Sequence, residues 1–126
     1  MGYILKVKCE DCGNSEEFYI GQGMKDWDKN VVATYFTDSH ILEALDKAEK
    51  WNFRWKIGVC NDCKKLLRAP VLDLIENEKR ELTDATCQCG RKITNIIDDS
   101  DEYGSFKFVC SKCNGMMSAY TTGFWD

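Results

Sequence analysis

The sequence predicts a small, β-rich, metal-bound fold of the α+β class, and three observations predict it. Eight cysteines fall into four close pairs: Cys9/Cys12, Cys60/Cys63, Cys87/Cys89 and Cys110/Cys113. Several stretches alternate apolar and polar residues with the period of a half-buried strand, most clearly at residues 52–59. One stretch, roughly residues 39–51, carries helical spacing instead.

Composition narrows the class further. A chain of 126 residues suits one domain or two very small ones. A net charge of −4 argues against broad electrostatic binding to a nucleic-acid backbone or an anionic membrane, since both need a positive field. No apolar run approaches the roughly 20 residues that span a bilayer. The opening Met1–Lys6 is too quickly polar for a signal peptide, and Lys6 stands where a myristoylation signal has Ser or Thr. The expectation is a cytoplasmic protein. Thiols stay reduced in that compartment, so paired cysteines point to metal ligation more than to disulfides.

The elements follow in order. Residues 3–8 read as a strand entering the first cysteine pair, and Glu16–Ile20 as a strand stopped by Gly21-Gln22-Gly23. Residues 24–30 read as loop and Val31–Phe36 as β-rich in type. Thr37-Asp38-Ser39 supplies a helix N-cap, and Ile41, Leu42, Leu45, Ala48 and Trp51 form the apolar stripe of the helix that follows. In residues 52–59, Phe53, Trp55, Ile57 and Val59 face one way and Asn52, Arg54, Lys56 and Gly58 the other. Pro70 marks an edge or an end. Val71–Thr83 fits a hairpin turning at residues 76–79 better than a short helix. Lys92–Ile97 reads as a strand, residues 98–102 as a charged turn, Tyr103–Val109 as the return strand, and Met116–Thr122 as a last strand.

The cysteine turns nearly repeat. Val59-Cys60-Asn61-Asp62-Cys63 and Val109-Cys110-Ser111-Lys112-Cys113 are each followed by two large apolar residues and an alanine at the same offsets. The other two turns, Cys9-Glu10-Asp11-Cys12-Gly13 and Cys87-Gln88-Cys89-Gly90, end in Cys-Gly. Two thiolates in a tight turn face one ion, and a second such turn completes a tetrahedron of sulfurs, the geometry of structural zinc. Two sites of four use all eight cysteines.

These motifs resemble the zinc ribbon, a rubredoxin-like fold in which two knuckles at the ends of β-hairpins grip one ion. The resemblance implies two zinc ribbons in tandem and two structural Zn²⁺ ions. Two groupings are open: sequential, or cross-braced between the first and third and the second and fourth pairs. The repeat favours the sequential grouping, Cys9, Cys12, Cys60, Cys63 and then Cys87, Cys89, Cys110, Cys113. On that reading residues 1–70 form a ribbon with a helical insertion at about 24–52, residues 71–84 a linker or hairpin, and residues 85–126 a second ribbon. Neither unit holds enough apolar surface to be robust alone, so metal should decide folding.

Other features carry less. Lys64 and Asn114 stand where a rubredoxin typically has glycine, which counts against an iron-bearing electron carrier. His40 has no free nucleophile to serve, and Gly21-Gln22-Gly23 lacks the third glycine and the lysine of a phosphate loop. Arg54, Lys56, Lys64, Lys65 and Arg68, interleaved with Phe53 and Trp55, form a candidate surface for RNA or single-stranded nucleic acid. Trp27, Trp51, Trp55 and Trp125 exceed what so small a core readily hides, which favours a protein interface. The expectation is a non-enzymatic adaptor or regulator that binds another macromolecule, by preference a protein. RNA or single-strand binding is the first alternative and electron transfer the second.

Overall fold

The protein is seen in a computed structural model that describes residues 2–75, 80–97 and 108–125. Its strands form one eight-stranded sheet in the order β5-β4-β3-β2-β1-β8-β7, with β6 paired to β3 off this path. The strands are β1 (Gly2–Cys9), β2 (Ser15–Gly21), β3 (Trp51–Val59), β4 (Leu66–Leu74), β5 (Arg80–Leu82), β6 (Asn95–Ile97), β7 (Phe108–Val109) and β8 (Met116–Trp125). Every pairing is antiparallel.

The sheet has two halves that do not follow the order of the chain. The two ends of the sequence make one half, in which β1 lies between β2 and β8 along most of its length. The middle makes the other, with β3 paired to β4 from Trp51 to Val59. The halves join through a single register position, Gly21 opposite Trp55. The expected boundary near residue 70 falls inside β4, and β8, assigned by sequence to the second ribbon, pairs with β1 of the first. Where a plain hairpin is expected between Cys89 and Cys110, the described residues pair elsewhere: β6 with β3, and β7 with β8. The charged turn at 98–102, the turn at 76–79 and the return strand before Phe108 fall outside the described residues.

The insertion is more helical than its sequence suggests. A single 3-10 turn spans Met24–Trp27, α1 spans Lys29–Ala33 and α2 spans Ser39–Lys47. Residues 31–33, β-rich in type, are helical because Asp28 caps α1 through the Asn30 N–H, and because Val32 and Phe36 then reach one core. Asp38 caps α2, accepting from the His40 and Ile41 amides. The helix stops before Trp51, which opens β3.

Three apolar clusters hold the fold. Leu5, Val7, Phe18 and Ile20 pack with Ile57, Leu66 and Ile97, so one cluster spans both halves of the sheet. The helices cover Phe53 and Leu72 with Val32, Phe36, Ile41 and Leu45. The third cluster gathers Cys60, Ala69, Ala85, Cys87 and Ile93. This third cluster, with β5, explains why β3 departs from simple alternation. Lys56 and Gly58, expected to face solvent, are buried: Ile93 and Ile96 cover Gly58, and Lys56 is bonded to Glu81 of β5. A methyl group on Gly58 would sit 2.7 Å from Ile93 Cγ2, so the closeness of that packing requires glycine.

Candidate metal centres

All four cysteine turns share one backbone plan. The first cysteine's N–H donates across the turn: Cys9 to Asn14 O at 2.7 Å, Cys60 to Lys65 O at 3.0 Å and Cys110 to Gly115 O at 2.8 Å. The residue after the second cysteine donates back to the first cysteine's carbonyl: Gly13 to Cys9, Lys64 to Cys60 and Asn114 to Cys110. The shorter turn keeps both bonds with one residue fewer, from Cys87 to Arg91 O and from Gly90 to Cys87 O, each at 2.9 Å.

This plan needs a left-handed residue after the second cysteine. Gly13 (φ 78°) and Gly90 (φ 92°) supply it without steric cost. Lys64 and Asn114 adopt it too, both at φ 63°. Their side chains therefore do not signal a different turn, and the case against iron based on them loses its force.

The turns bring the eight thiols into two groups: Cys9, Cys12, Cys110 and Cys113, and Cys60, Cys63, Cys87 and Cys89. Within each group all sulfurs lie within 4.8 Å of one another. This corrects the sequential grouping, and the cross-braced alternative fails with it. The first pair joins the fourth, and the second joins the third. The physical reason is strand order. Antiparallel pairing of β1 with β8 brings the end of β1 beside the turn that starts β8, and Cys9 lies opposite Met117. Pairing of β3 with β6 likewise sets the 87–90 turn beside the 60–63 turn.

The sulfur spacing tests the fit to a metal. A metal–sulfur bond of about 2.3 Å in a tetrahedron separates the sulfurs by about 3.8 Å. Between the turns the sulfurs stand 3.4 Å (Cys9–Cys113), 3.7 Å (Cys12–Cys110), 3.6 Å (Cys60–Cys89) and 3.3 Å (Cys63–Cys87) apart. These values are far too long for S–S bonds and suit four ligands around one ion, and all eight cysteines are free thiols. Two metal ions could be held.

Backbone amides lower one thiol in each group, whereas Cys87 and Cys113 are pushed up to about 12, their own amide hydrogen bonds being outweighed by the neighbouring thiols and burial. Cys60 is lowered from 9.0 to about 6, first by the Cys63 N–H and then by that of Asp62, against the opposing effect of burial. Cys110 is lowered from 9.0 to about 6, first by the Lys112 N–H and then by that of Cys113. A hydrogen bond to the charged form stabilises thiolate, the state that binds metal. Around the group of Cys60, Cys63, Cys87 and Cys89, the inner centre, Asn61 Nδ2 donates to Thr94 Oγ1 at 3.2 Å, and Arg91 pairs with Asp62. Around the group of Cys9, Cys12, Cys110 and Cys113, the outer centre, the Gly115 N–H points at Cys113 Sγ, 3.4 Å away.

The remaining candidates separate in space. Lys56 is 4 % exposed and bonded to Glu81 at 3.1 Å. Arg68 lies over the Trp55 ring, 3.7 Å from its centroid, with Trp125 at 5.4 Å, and burial lowers its pKa. Arg68 stands opposite Ile57 and so projects on the side of β3 away from Arg54 and Lys56. Lys64 and Lys65 are exposed at the knuckle. The five cations do not share one face. His40 is exposed in the first turn of α2, and Gly21-Gln22-Gly23 is a turn whose Gly23 N–H donates to Asp26 at 2.8 Å. The terminal Gly123-Phe124-Trp125 belongs to β8, where Trp125 Nε1 donates to Ile20 O at 3.0 Å and the indole covers Gly2.

Sequence reasoning passed over Asp26. Its carboxylate is 2 % exposed and accepts from the Gly23 amide and, at 2.8 Å, from the Tyr35 hydroxyl. Burial first, and then this bond, push the Tyr35 phenol up to about 12. The flanking residues point the other way: Met24 is 71 % exposed and Trp27 68 %. Among the described residues no helix is long and apolar enough to cross a membrane. Compared with protein-family models, with curated proteins and with solved structures, the chain matches none of them.

Proposed function

We propose that the protein is a non-enzymatic adaptor, built from two zinc-ribbon-like centres, that binds another protein through the 3-10 turn Met24–Trp27. One observation carries this reading: the turn is inverted, with its acid inside and its large apolar residues outside. A carboxylate is ordinarily the residue left in water. Here two hydrogen bonds fix it in the interior, which holds Met24 and Trp27 outward on a braced segment. An exposed, preorganised tryptophan is the residue type that anchors protein interfaces. Zinc is the ion of choice because closed four-thiolate sites with no open position suit a structural role.

The second reading, RNA or single-strand binding, has less support. It needs Lys56 at the surface and Arg54 and Arg68 on one side, and the geometry supplies neither. The third, electron transfer, is decided by colour, since an iron form would be red and a zinc form colourless.

Capture from the native extract with the metal-loaded chain tests the proposal. A protein retained by the parent and lost with Trp27→Ser or Met24→Ser, at unchanged thermal stability, supports it. Anchoring tryptophans contribute about 2 kcal/mol or more, so the affinity should fall roughly 30-fold. Identical captures by parent and variants would reject this face. A shift of RNA or single-stranded DNA at about 50 mM salt would turn the reading to the nucleic-acid alternative.

A further inference from the structure

A cleft of about 390 Å³ lies between the two cysteine centres. Each of the four cysteine turns contributes to its wall. Ser15 follows the first turn, Lys65 and Leu67 follow the second, Gln88 lies within the third, and Lys112 within the fourth. The volume falls in the range of small-molecule sites.

The lining is rich in donors. Lys65 and Lys112 bring two ammonium groups, Ser15, Ser111 and Thr86 bring hydroxyls, and Glu16 is the single carboxylate among the lining residues. In a chain of net charge −4, this is a local concentration of positive and neutral donors. Two further facts limit the ligand. Loaded four-thiolate centres are themselves negative, which disfavours a compact polyanion between them. Leu67, half-buried, gives part of the wall an apolar surface, which a bare inorganic ion would leave uncovered.

We infer that the cleft binds a small molecule with one anionic head, a phosphomonoester or a carboxylate, and an uncharged body. The head lies between Lys65 and Lys112, and the body lies on Leu67. The site is separate from the Met24–Trp27 face and does not depend on it.

Amide chemical shifts of the metal-loaded full chain, titrated with phenyl phosphate, phenylacetate and benzyl alcohol, test this. Saturable shifts at Ser15, Lys65, Gln88 and Lys112 are expected with at least one anion and not with the alcohol, and the tighter anion identifies the head. Lys65→Ala and Lys112→Ala should each weaken binding about fivefold, the size expected of one exposed charge-assisted contact. Lys65→Arg and Lys112→Arg should retain it. Lys47→Ala, at an exposed residue of α2, should leave it unchanged. The inference falls if neither anion gives saturable shifts up to roughly 10 mM, a bound equivalent to about 3 kcal/mol of affinity. It also falls if the alcohol binds equally well, or if the alanine variants bind as tightly as the parent.

Discussion

The two cysteine centres use the same turns and do opposite jobs in the chain. The inner centre joins sulfurs 24 and 29 residues apart. The outer centre joins sulfurs 98 and 104 apart and so ties the two ends of the protein together. Closing a segment about four times as long costs only about 1 kcal/mol more, because loop entropy grows logarithmically. The larger difference is structural. The inner turns sit on β3 and its immediate partners, whereas the outer site needs β1 and β8 already side by side. The comparison teaches that equal ligands can make one local clamp and one global fastener.

The greatest effect should come from removing both metals. Structural zinc contributes on the order of 10–16 kcal/mol of apparent binding energy linked to folding. A strong chelator should abolish the cooperative thermal transition, and a metal-free chain that still melts cooperatively would refute metal-dependent folding. Removing one centre at a time should then separate them. Cys9→Ser with Cys110→Ser should leave one metal per chain and keep the β3 and β4 amides protected from exchange. Cys60→Ser with Cys87→Ser should lower the outer site's affinity as well. Counting metals by native mass spectrometry checks both, and equal behaviour of the two variants would end the distinction. At one metal equivalent added to the unfolded chain, Cys60, Cys63, Cys87 and Cys89 should resist alkylation first.

Two glycines sharpen the contrast on a smaller scale. Gly58→Ala forces a methyl group against Ile93 beside the inner centre and should cost about 1–3 kcal/mol in thermal unfolding. Gly115→Ala beside the outer centre meets the Asp11 side chain, whose exposed carboxylate can turn aside but whose Cβ stays 3.1 Å away. Its cost should be smaller, about 0.5–1 kcal/mol. Lys64→Gly relieves a left-handed lysine at the inner site and should stabilise by about 1 kcal/mol, whereas Asn114→Gly should gain less, because asparagine tolerates that conformation.

Acid should distinguish the centres least. Each centre pairs a depressed thiol with a raised one: the contribution of Cys60 and Cys110, lowered to about 6, is complete above about 9.0 and lost as the pH falls through about 6, while that of Cys87 and Cys113, raised to about 12, is present below about 9.0 and lost only as the pH rises through about 12. Bound metal competes for the same sites and carries release to lower pH. The two ions should leave within about one pH unit of each other, since a shift of one unit corresponds to about 1.4 kcal/mol. Widely separated release steps in a metal-sensitive dye assay would show that the surroundings of the two centres, and not their amides, set the affinity.

Much of the candidate site was legible. Pair spacing marked all eight thiols, and Gly13 and Gly90 marked the left-handed positions. The helix that follows Asp38 was visible from its cap and its apolar stripe. The short helix at 29–33 was not, because Val31 and Val32 favour strands locally and only packing against Phe53 and Leu72 overrides that preference. Burial of Gly58 was hidden for a similar reason: alternation describes one strand, and the side chains that cover it, Ile93 and Ile96, come from a distant segment.

The sequence by itself determined that there are four turns and which eight thiols they carry. That much follows from spacing within six residues. Only the tertiary structure decided which turns meet. The near-repeat pointed to neighbours along the chain, but the pairing of β1 with β8 placed the first turn beside the last. Strand order depends on which faces bury together across the whole molecule, and no local spacing encodes it.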